Sequence, residues 1–370
     1  MKPVFHSLKV KSIVPETADA VVVSFEIPED LQSAYLFKPG QHVTLRFELN
    51  GQEYRRSYSM CNRPVAGELS ICVKRVEFGV VSNYIADKLK VGDEVEVMTP
   101  EGRFVCEANP DNKKNYYLFA AGSGITPLMS IAKTLLEEER MSYVFLLYGN
   151  RNENSIIFKE ELDRMAKEYD GQFYVKHSLS QPLREKKGGL GGLFSKGKIT
   201  WTGDTGRIDT AKVRQFITED FPPRHKISEY YICGPGNFIQ TVESALLENG
   251  VDKQHIHHEY FTNPDQETKA NPPSAEKVDG AKVIVTLDKQ QFEVSVPAGK
   301  SILDVLLDQG IDAPYSCTSG ACATCMAKVT KGAVSMDTCF ALDDSEVKNG
   351  YILTCQAHPT TETVELTFDI

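Results

Sequence analysis

The chain has 370 residues, 41% of them hydrophobic, 25% charged and 9% aromatic, which is ordinary for a folded protein and long enough for about two or three domains. Its net charge of -10 argues against a nucleic-acid binder, which would present a basic face. No apolar run approaches the ~20 residues of a membrane-spanning helix. Residues 1–10 show no charged start followed by an apolar stretch, so no secretory leader is visible. Five of the nine cysteines fall between Cys317 and Cys355. That clustering points to a metal site in a reducing, cytoplasmic setting rather than to a disulfide framework.

Residues 1–108 carry short alternating runs at Ala20–Ile27, His42–Leu49, Leu69–Arg75 and Glu94–Met98. Pro39-Gly40, Asn50-Gly51 and Val91-Gly92-Asp93 mark the turns between them. Many short strands with turn signals predict an antiparallel β-barrel or sandwich, interrupted by one helix over Ser82–Leu89. Residues 109–261 alternate instead. Strands are expected at Tyr116–Ala120, Tyr143–Tyr148, Phe173–Leu179 and Glu229–Cys233, and helices at Pro127–Glu139 and Phe158–Glu168. Such alternation implies an α/β domain on a parallel sheet. Lys186–Lys198, rich in Gly and Lys, reads as a surface insertion. Residues 262–280 hold three prolines and no apolar period, the composition of a semi-extended linker. Residues 281–370 form a last unit, with a hairpin at Lys282–Leu287 and Gln291–Val296, a helix at Ser301–Asp308 and a closing strand at Thr363–Phe368.

The strongest chemical signal is Cys317-x4-Cys322-x2-Cys325 with Cys355 further on. This is the plant-type [2Fe–2S] ligand spacing. Four thiolates must converge on two irons, and a loop of small residues lets backbone N–H groups approach the cluster sulfurs. A zinc site is the alternative, but zinc sites usually present two Cys-x2-Cys or Cys/His pairs and only one is present here. Cys339 reads as an ordinary buried thiol. Residues 281–370 resemble a plant-type ferredoxin of β-grasp fold. The resemblance implies Cys317, Cys322, Cys325 and Cys355 as ligands.

Arg56-Ser57-Tyr58-Ser59 ends a strand. Val73, Lys74 and Arg75 end another, and Gly79-Val80-Val81-Ser82 then opens a helix, a ready anion site. An Arg beside that helix start could bracket a pyrophosphate, while Tyr58 stacks on a ring and Ser59 meets a flavin nitrogen. Alone, the tetrapeptide fits a strand-edge Arg and a half-buried Tyr equally well. Gly122-Ser123-Gly124 follows a strand, and Thr126-Pro127 opens the next helix. Glycines there allow close approach to a phosphate, and proline suits a first helical position. Cys233-Gly234-Pro235 closes a later strand.

In order and spacing, residues 1–261 resemble the ferredoxin-NADP reductase superfamily, a flavin-binding barrel followed by a nicotinamide domain. The resemblance implies flavin contacts from Arg56, Ser57, Tyr58 and Ser59 and from the two segments Val73–Arg75 and Gly79–Ser82. The family's phosphate segment is Gly-Gly-x-x-Ser/Thr, and Phe78 here stands where the first Gly is usual. It also implies nicotinamide contacts from the Gly122–Pro127 segment and from Cys233, Gly234 and Pro235. Glu259-Tyr260-Phe261 resembles a Glu-Arg-Phe triplet with Tyr260 in place of Arg. Ser59, Cys233 and Glu259 are then the candidate catalytic residues, while His257 and His258 read as ordinary surface or packing histidines rather than ligands.

With the ferredoxin unit last, the domain order resembles that of the single-chain reductases of multicomponent oxygenases. That implies an enzyme carrying FAD and a [2Fe–2S] cluster, oxidising NAD(P)H and passing electrons to an oxygenase or other acceptor protein. One subgroup of this order uses FMN. A stand-alone small-molecule reductase and a non-enzymatic redox sensor remain as alternatives. Tyr148-Gly149-Asn150-Arg151 contains no acid to hold a ribose 2′-hydroxyl, and Arg151 suits a 2′-phosphate, so NADPH is expected over NADH. Residues 281–370 hold 12 Asp or Glu against 6 Lys and no Arg. Asp343, Asp344 and Glu346 are expected to present an acidic face to the partner.

Overall fold

The computed structural model describes residues 4–185, 197–261 and 277–370. Residues 186–196 of the expected insertion and 262–276 of the expected linker lie outside the described residues. By packing, the chain divides into two compact units, one of Met1–Phe5, Glu48–Ser57 and Tyr260–Ile370, the other of His6–Phe47 and Tyr58–Glu259.

The first elements are β1 (Phe5–Thr17), β2 (Ala20–Glu26), β3 (His42–Leu49), β4 (Gln52–Ser59), β5 (Glu68–Lys74), α1 (Val80–Asp87) and β6 (Glu94–Met98). The strands form one sheet in the order β4-β3-β6-β1-β2-β5. Asn50 and Gly51 join β3 to β4 with φ of +56° and +75°, the paired left-handed residues that a two-residue hairpin needs. Two register shifts interrupt β1 against β2, at Val10/Ser12 and Pro15/Thr17. They break the alternation that would have marked β1 in the sequence. Helix α1 begins two residues before the expected Ser82.

The next elements are β7 (Lys114–Ala121), α2 (Ile125–Glu138), β8 (Tyr143–Asn150), α3 (Lys159–Glu168), β9 (Phe173–Leu179), β10 (Arg184–Glu185), β11 (Lys198–Ile199), β12 (Asp204–Thr205), α4 (Thr210–Gln215), β13 (Ile227–Gly234), α5 (Gly236–Glu248) and β14 (Ile256–Tyr260). A six-stranded sheet runs β12-β9-β8-β7-β13-β14. Strands β7, β8, β9, β12 and β13 are parallel neighbours. Tyr116–Ala120 and Val144–Tyr148 are fully buried, as expected of a parallel sheet covered on both faces. Chain order reverses at β7, which lies between β8 and β13. Ligands of such sheets bind at that switch point, beyond the carboxyl ends of the strands.

The last elements are β15 (Ala281–Leu287), β16 (Gln290–Val296), α6 (Ile302–Asp308), β17 (Met326–Lys331), β18 (Val334–Met336), α7 (Asp344–Lys348), β19 (Tyr351–Leu353), β20 (Ala357–Pro359) and β21 (Thr363–Thr367). A mixed sheet β16-β15-β21-β17-β19 packs on Ile302, Leu303 and Leu306 of α6. Ser301 and Asp304 cap α6 reciprocally. In the same unit the β3–β4 hairpin tip meets the chain just before the cysteine loop. The Arg55 guanidinium lies 4.0 Å from the Tyr315 ring centroid.

Candidate functional site

At the switch point a 3-10 turn over Gly122–Gly124 leads directly into α2. Pro127 is therefore the third residue of α2, not the first, but it still lies in the turn whose N–H groups lack helical acceptors. Gly122 adopts φ +55°, and its carbonyl accepts from the Tyr148 hydroxyl at 2.9 Å. Thr126 Oγ1 donates to the Ser123 carbonyl at 3.0 Å, which fixes the turn. A Cβ on Gly124 would lie 2.1 Å from the Cys233 carbonyl oxygen, and one on Gly234 would lie 2.8 Å from the Phe238 ring. The two glycine segments thus meet backbone to backbone, a cradle in which side chains have no room. Pro235 precedes the first turn of α5. These residues fit a nicotinamide dinucleotide. At the end of β8, Arg151 is exposed and its Nε donates to Gln181 Oε1 at 3.0 Å.

The flavin candidates divide by environment. Val73 is buried in the β2–β5 ladder opposite Val21. Lys74 pairs with Asp19 at 3.5 Å and Arg75 with Asp87 at 2.6 Å, so both cations already have local counter-charges. Arg56 is exposed, and its Nη1 donates to the Arg55 carbonyl at 2.7 Å. Gly79 is the N-cap of α1. A Cβ there would fall 2.6 Å from Ser82 Oγ, and Ser82 Oγ accepts from the Val76 N–H at 3.1 Å. Val80 and Val81 open the helix, Val81 buried. Phe78 holds φ +60° and is 91% exposed. It keeps the left-handed backbone that glycine adopts freely. The bare, amide-lined start of α1 fits a flavin pyrophosphate.

The three candidate catalytic residues come together. Ser59 Oγ donates to Glu259 Oε2 at 3.2 Å. Cys233 is fully buried, and burial, then the charge of Glu259, push its thiol well above the usual range. One member of this cluster was not read from the sequence. His42 Nδ1 stands 3.7 Å from Glu259 Oε1, and His42 Nε2 stands 3.4 Å from Glu101 Oε1. These are ion-pair separations. Burial opposes the charge on His42, but the two carboxylates outweigh it and hold its pKa up at about 10. Glu101 and His42 lie in separate segments joined by one isolated bridge, so no local pattern signals the pair.

In the ferredoxin unit, Cys317 Sγ accepts from the Ser319 N–H at 3.4 Å and the Cys322 N–H at 3.3 Å. The Cys322 thiol and these N–H groups hold Cys317 well below the usual thiol range. Cys322, Cys325 and Cys355 are buried. Among the described residues no three metal-ligating side chains stand ready as a closed set. The chemistry of the loop nevertheless fits a cluster, with backbone donors aimed at a ligand sulfur. Gly320 has φ +75°, and a Cβ there would lie 2.8 Å from Thr338 Oγ1. Thr338 in turn donates to Gln356 Oε1 at 2.8 Å, bracing the loop against the residue after Cys355. Cys339 is half-buried, and burial raises its thiol pKa.

Comparison with known proteins agrees with this division of labour. Residues 7–106 match an oxidoreductase FAD-binding domain, residues 118–244 an oxidoreductase NAD-binding domain, and residues 285–360 a 2Fe-2S iron-sulfur cluster binding domain. The chain is 37% identical to one of the subunits of 1,2-phenylacetyl-CoA epoxidase from Escherichia coli (strain K12), over 99% of this chain and 98% of the relative. It is 32% identical to the ferredoxin reductase component of 3-ketosteroid-9-alpha-monooxygenase of Rhodococcus rhodochrous, over 98% and 96%. The solved structure of phthalate dioxygenase reductase matches with a TM-score of 0.60 at 26% identity, covering 98% of both chains.

Three redox domains in this order define an NAD(P)H-dependent flavin and iron–sulfur reductase. The chain belongs to the ferredoxin-NADP reductase superfamily, among the reductase components of multicomponent oxygenases that end in a [2Fe–2S] ferredoxin domain. The cofactors supply the redox chemistry, a flavin taking two electrons from the nicotinamide and a cluster passing them on singly. The protein positions them. No helix among the described residues is long and apolar enough to cross a membrane.

Proposed function

We propose that this chain delivers electrons from NADPH to the oxygenase of a phenylacetyl-CoA epoxidase system in the cytoplasm. The whole-length 37% identity to a phenylacetyl-CoA epoxidase component carries this reading. A cluster-bearing thiol loop suits a reducing compartment. In this reading residues 1–108 hold the flavin, residues 109–261 the nicotinamide and residues 281–370 the cluster, with 262–280 as linker. Arg56 and the start of α1 bind the flavin phosphates, Tyr58 packs on the ring system, and Ser59 faces its reacting nitrogen. Gly122–Pro127 and Cys233–Pro235 cradle the coenzyme. The exposed Arg151 takes the 2′-phosphate, supported by its place at the end of β8 with no acid among residues 148–151. Cys317, Cys322, Cys325 and Cys355 hold the cluster.

Reconstitution tests the partner. The chain, loaded with FAD and cluster, is mixed with the oxygenase subunits of a phenylacetyl-CoA epoxidase, NADPH and phenylacetyl-CoA. Epoxide forms only when the chain is present. Electron delivery to a 3-ketosteroid or glycine betaine oxygenase, with none to the epoxidase, would assign another partner.

A further inference from the structure

Glu259 accepts from Ser59 in a nearly dry place, and the His42 imidazole stands behind it at ion-pair distance. His42 and Glu259 side chains are 8% and 11% exposed, whereas Glu101 is 29% exposed. The His42 N–H donates to the Glu101 carbonyl, and the Glu101 N–H to the His42 carbonyl, both at 2.9 Å. A mutually bonded antiparallel pair sends both side chains to one face, so Glu101 is held against the imidazole. The third wall is Gly102, with φ +117°, where a Cβ would come within 2.9 Å of His42 Nδ1. The ring therefore occupies space that any other residue at 102 would take. Glu101 and Glu259 are the carboxylates that face it at ion-pair distance.

We propose that His42, clamped by Glu101, is a positioning residue for the reductase reaction: it is the counter-ion that keeps Glu259 a charged proton acceptor for Ser59. This rests on the reading of Ser59 as the residue facing the flavin. The balance of the reaction calls for such an acceptor. NADPH gives up a hydride as its C–H bond breaks. Two one-electron acceptors each take one electron. One proton is left over for every NADPH oxidised. Ser59 takes that proton at Oγ as its own passes to Glu259, which then yields it to water. Without the imidazolium, Glu259 would face Ser59 with no cation behind it, and a carboxyl group that already holds a proton cannot take the one from Ser59.

The test follows oxidation of the NADPH-reduced, FAD-loaded protein by ferricyanide from pH 6 to 9. The unmutated protein should show a flat profile. For His42→Gln the rate should fall at least tenfold at pH 6.5 and return to within about twofold at pH 9. Glu101→Gln, which leaves the imidazole beside Glu259, should keep a nearly flat profile. A purely structural role lowers rates without moving the pH dependence, so a His42→Gln profile parallel to the unmutated one overturns the proposal. A readout that needs neither turnover nor the variant is the 15N spectrum of the His42 ring. Both nitrogens should remain protonated at pH 8, and a neutral ring at pH 7 overturns the proposal even if His42→Gln does not fold. Failure of the unmutated protein to oxidise NADPH would refute the reductase reading and leave the charge of His42 to be judged by the spectrum.

Discussion

Gly124 and Cys233 touch through backbone: a methyl group on Gly124 would stand 2.1 Å from the Cys233 carbonyl oxygen. The glycine turn after β7 and the Cys-Gly-Pro turn after β13 are therefore one structure. Its shape depends on the absence of side chains at Gly124 and Gly234.

Gly124→Ala should destabilise the chain by roughly 1–3 kcal/mol, because the obstacle is backbone and cannot rotate away. It should also raise the Michaelis constant for NADPH. Gly122→Ala meets no atom within 4 Å but sits at φ +55°. Its cost should be about 1–2 kcal/mol from backbone strain alone. Urea unfolding of both variants separates the crowding from the strain.

Cys322→Ser should abolish electron delivery to a one-electron protein acceptor while ferricyanide reduction from the flavin persists. Stopped-flow absorbance on the folded, flavin-loaded variant reads both. Loss of both activities would mean that the cluster is needed for hydride transfer itself.

Arg151→Ala should raise the Michaelis constant for NADPH far more than that for NADH. The side chain is exposed and its hydrogen bond goes to Gln181 Oε1 at the surface, so the fold should be unaffected. Equal kinetics with both coenzymes in the unmutated protein would refute the assignment of Arg151.

Glu229 gathers three cationic or ionisable neighbours. Its carboxylate lies 3.2 Å from each of Lys114 Nζ, His255 Nδ1 and His257 Nε2. Burial raises its pKa, but the histidine hydrogen bonds and Lys114 win and hold it at about 2. A lowered carboxylate stabilises the fold above its unfolded pKa, and that stability is lost as pH falls toward 2. Glu229→Gln should therefore cost about 2 kcal/mol at pH 7, allowing for its partial exposure. The difference from the unmutated protein should shrink between pH 4.5 and 2, as read by urea midpoints at pH 7 and pH 3.

Much of this architecture is legible in the chain because the deciding interactions are local. The Cys317–Cys325 spacing, the Asn50-Gly51 turn and the glycines at the ends of β7 and β13 each act within a few residues. Other features depend on distant parts of the chain. Strand β1 hides behind two bulges. Lys74 and Arg75 stand beside the flavin segment in sequence, yet each is paired with an aspartate. Asp343 and Glu346 read as an acidic surface for a partner, but Asp343 accepts from the Ser345 and Glu346 N–H groups and Glu346 accepts from the Asp343 N–H. They cap α7, so neutralising them would weaken the helix as well as remove charge. His42 and Glu101 meet only through the bridge between their segments.

In the proposed route, electrons enter at the flavin from NADPH and leave through the cluster. An anaerobic titration of the fully loaded protein with NADPH, following flavin and cluster absorption separately, is the decisive measurement. Both chromophores should bleach in the unmutated protein, and only the flavin should bleach in Cys322→Ser. A cluster that stays oxidised while the flavin of the unmutated protein is fully reduced would contradict this route.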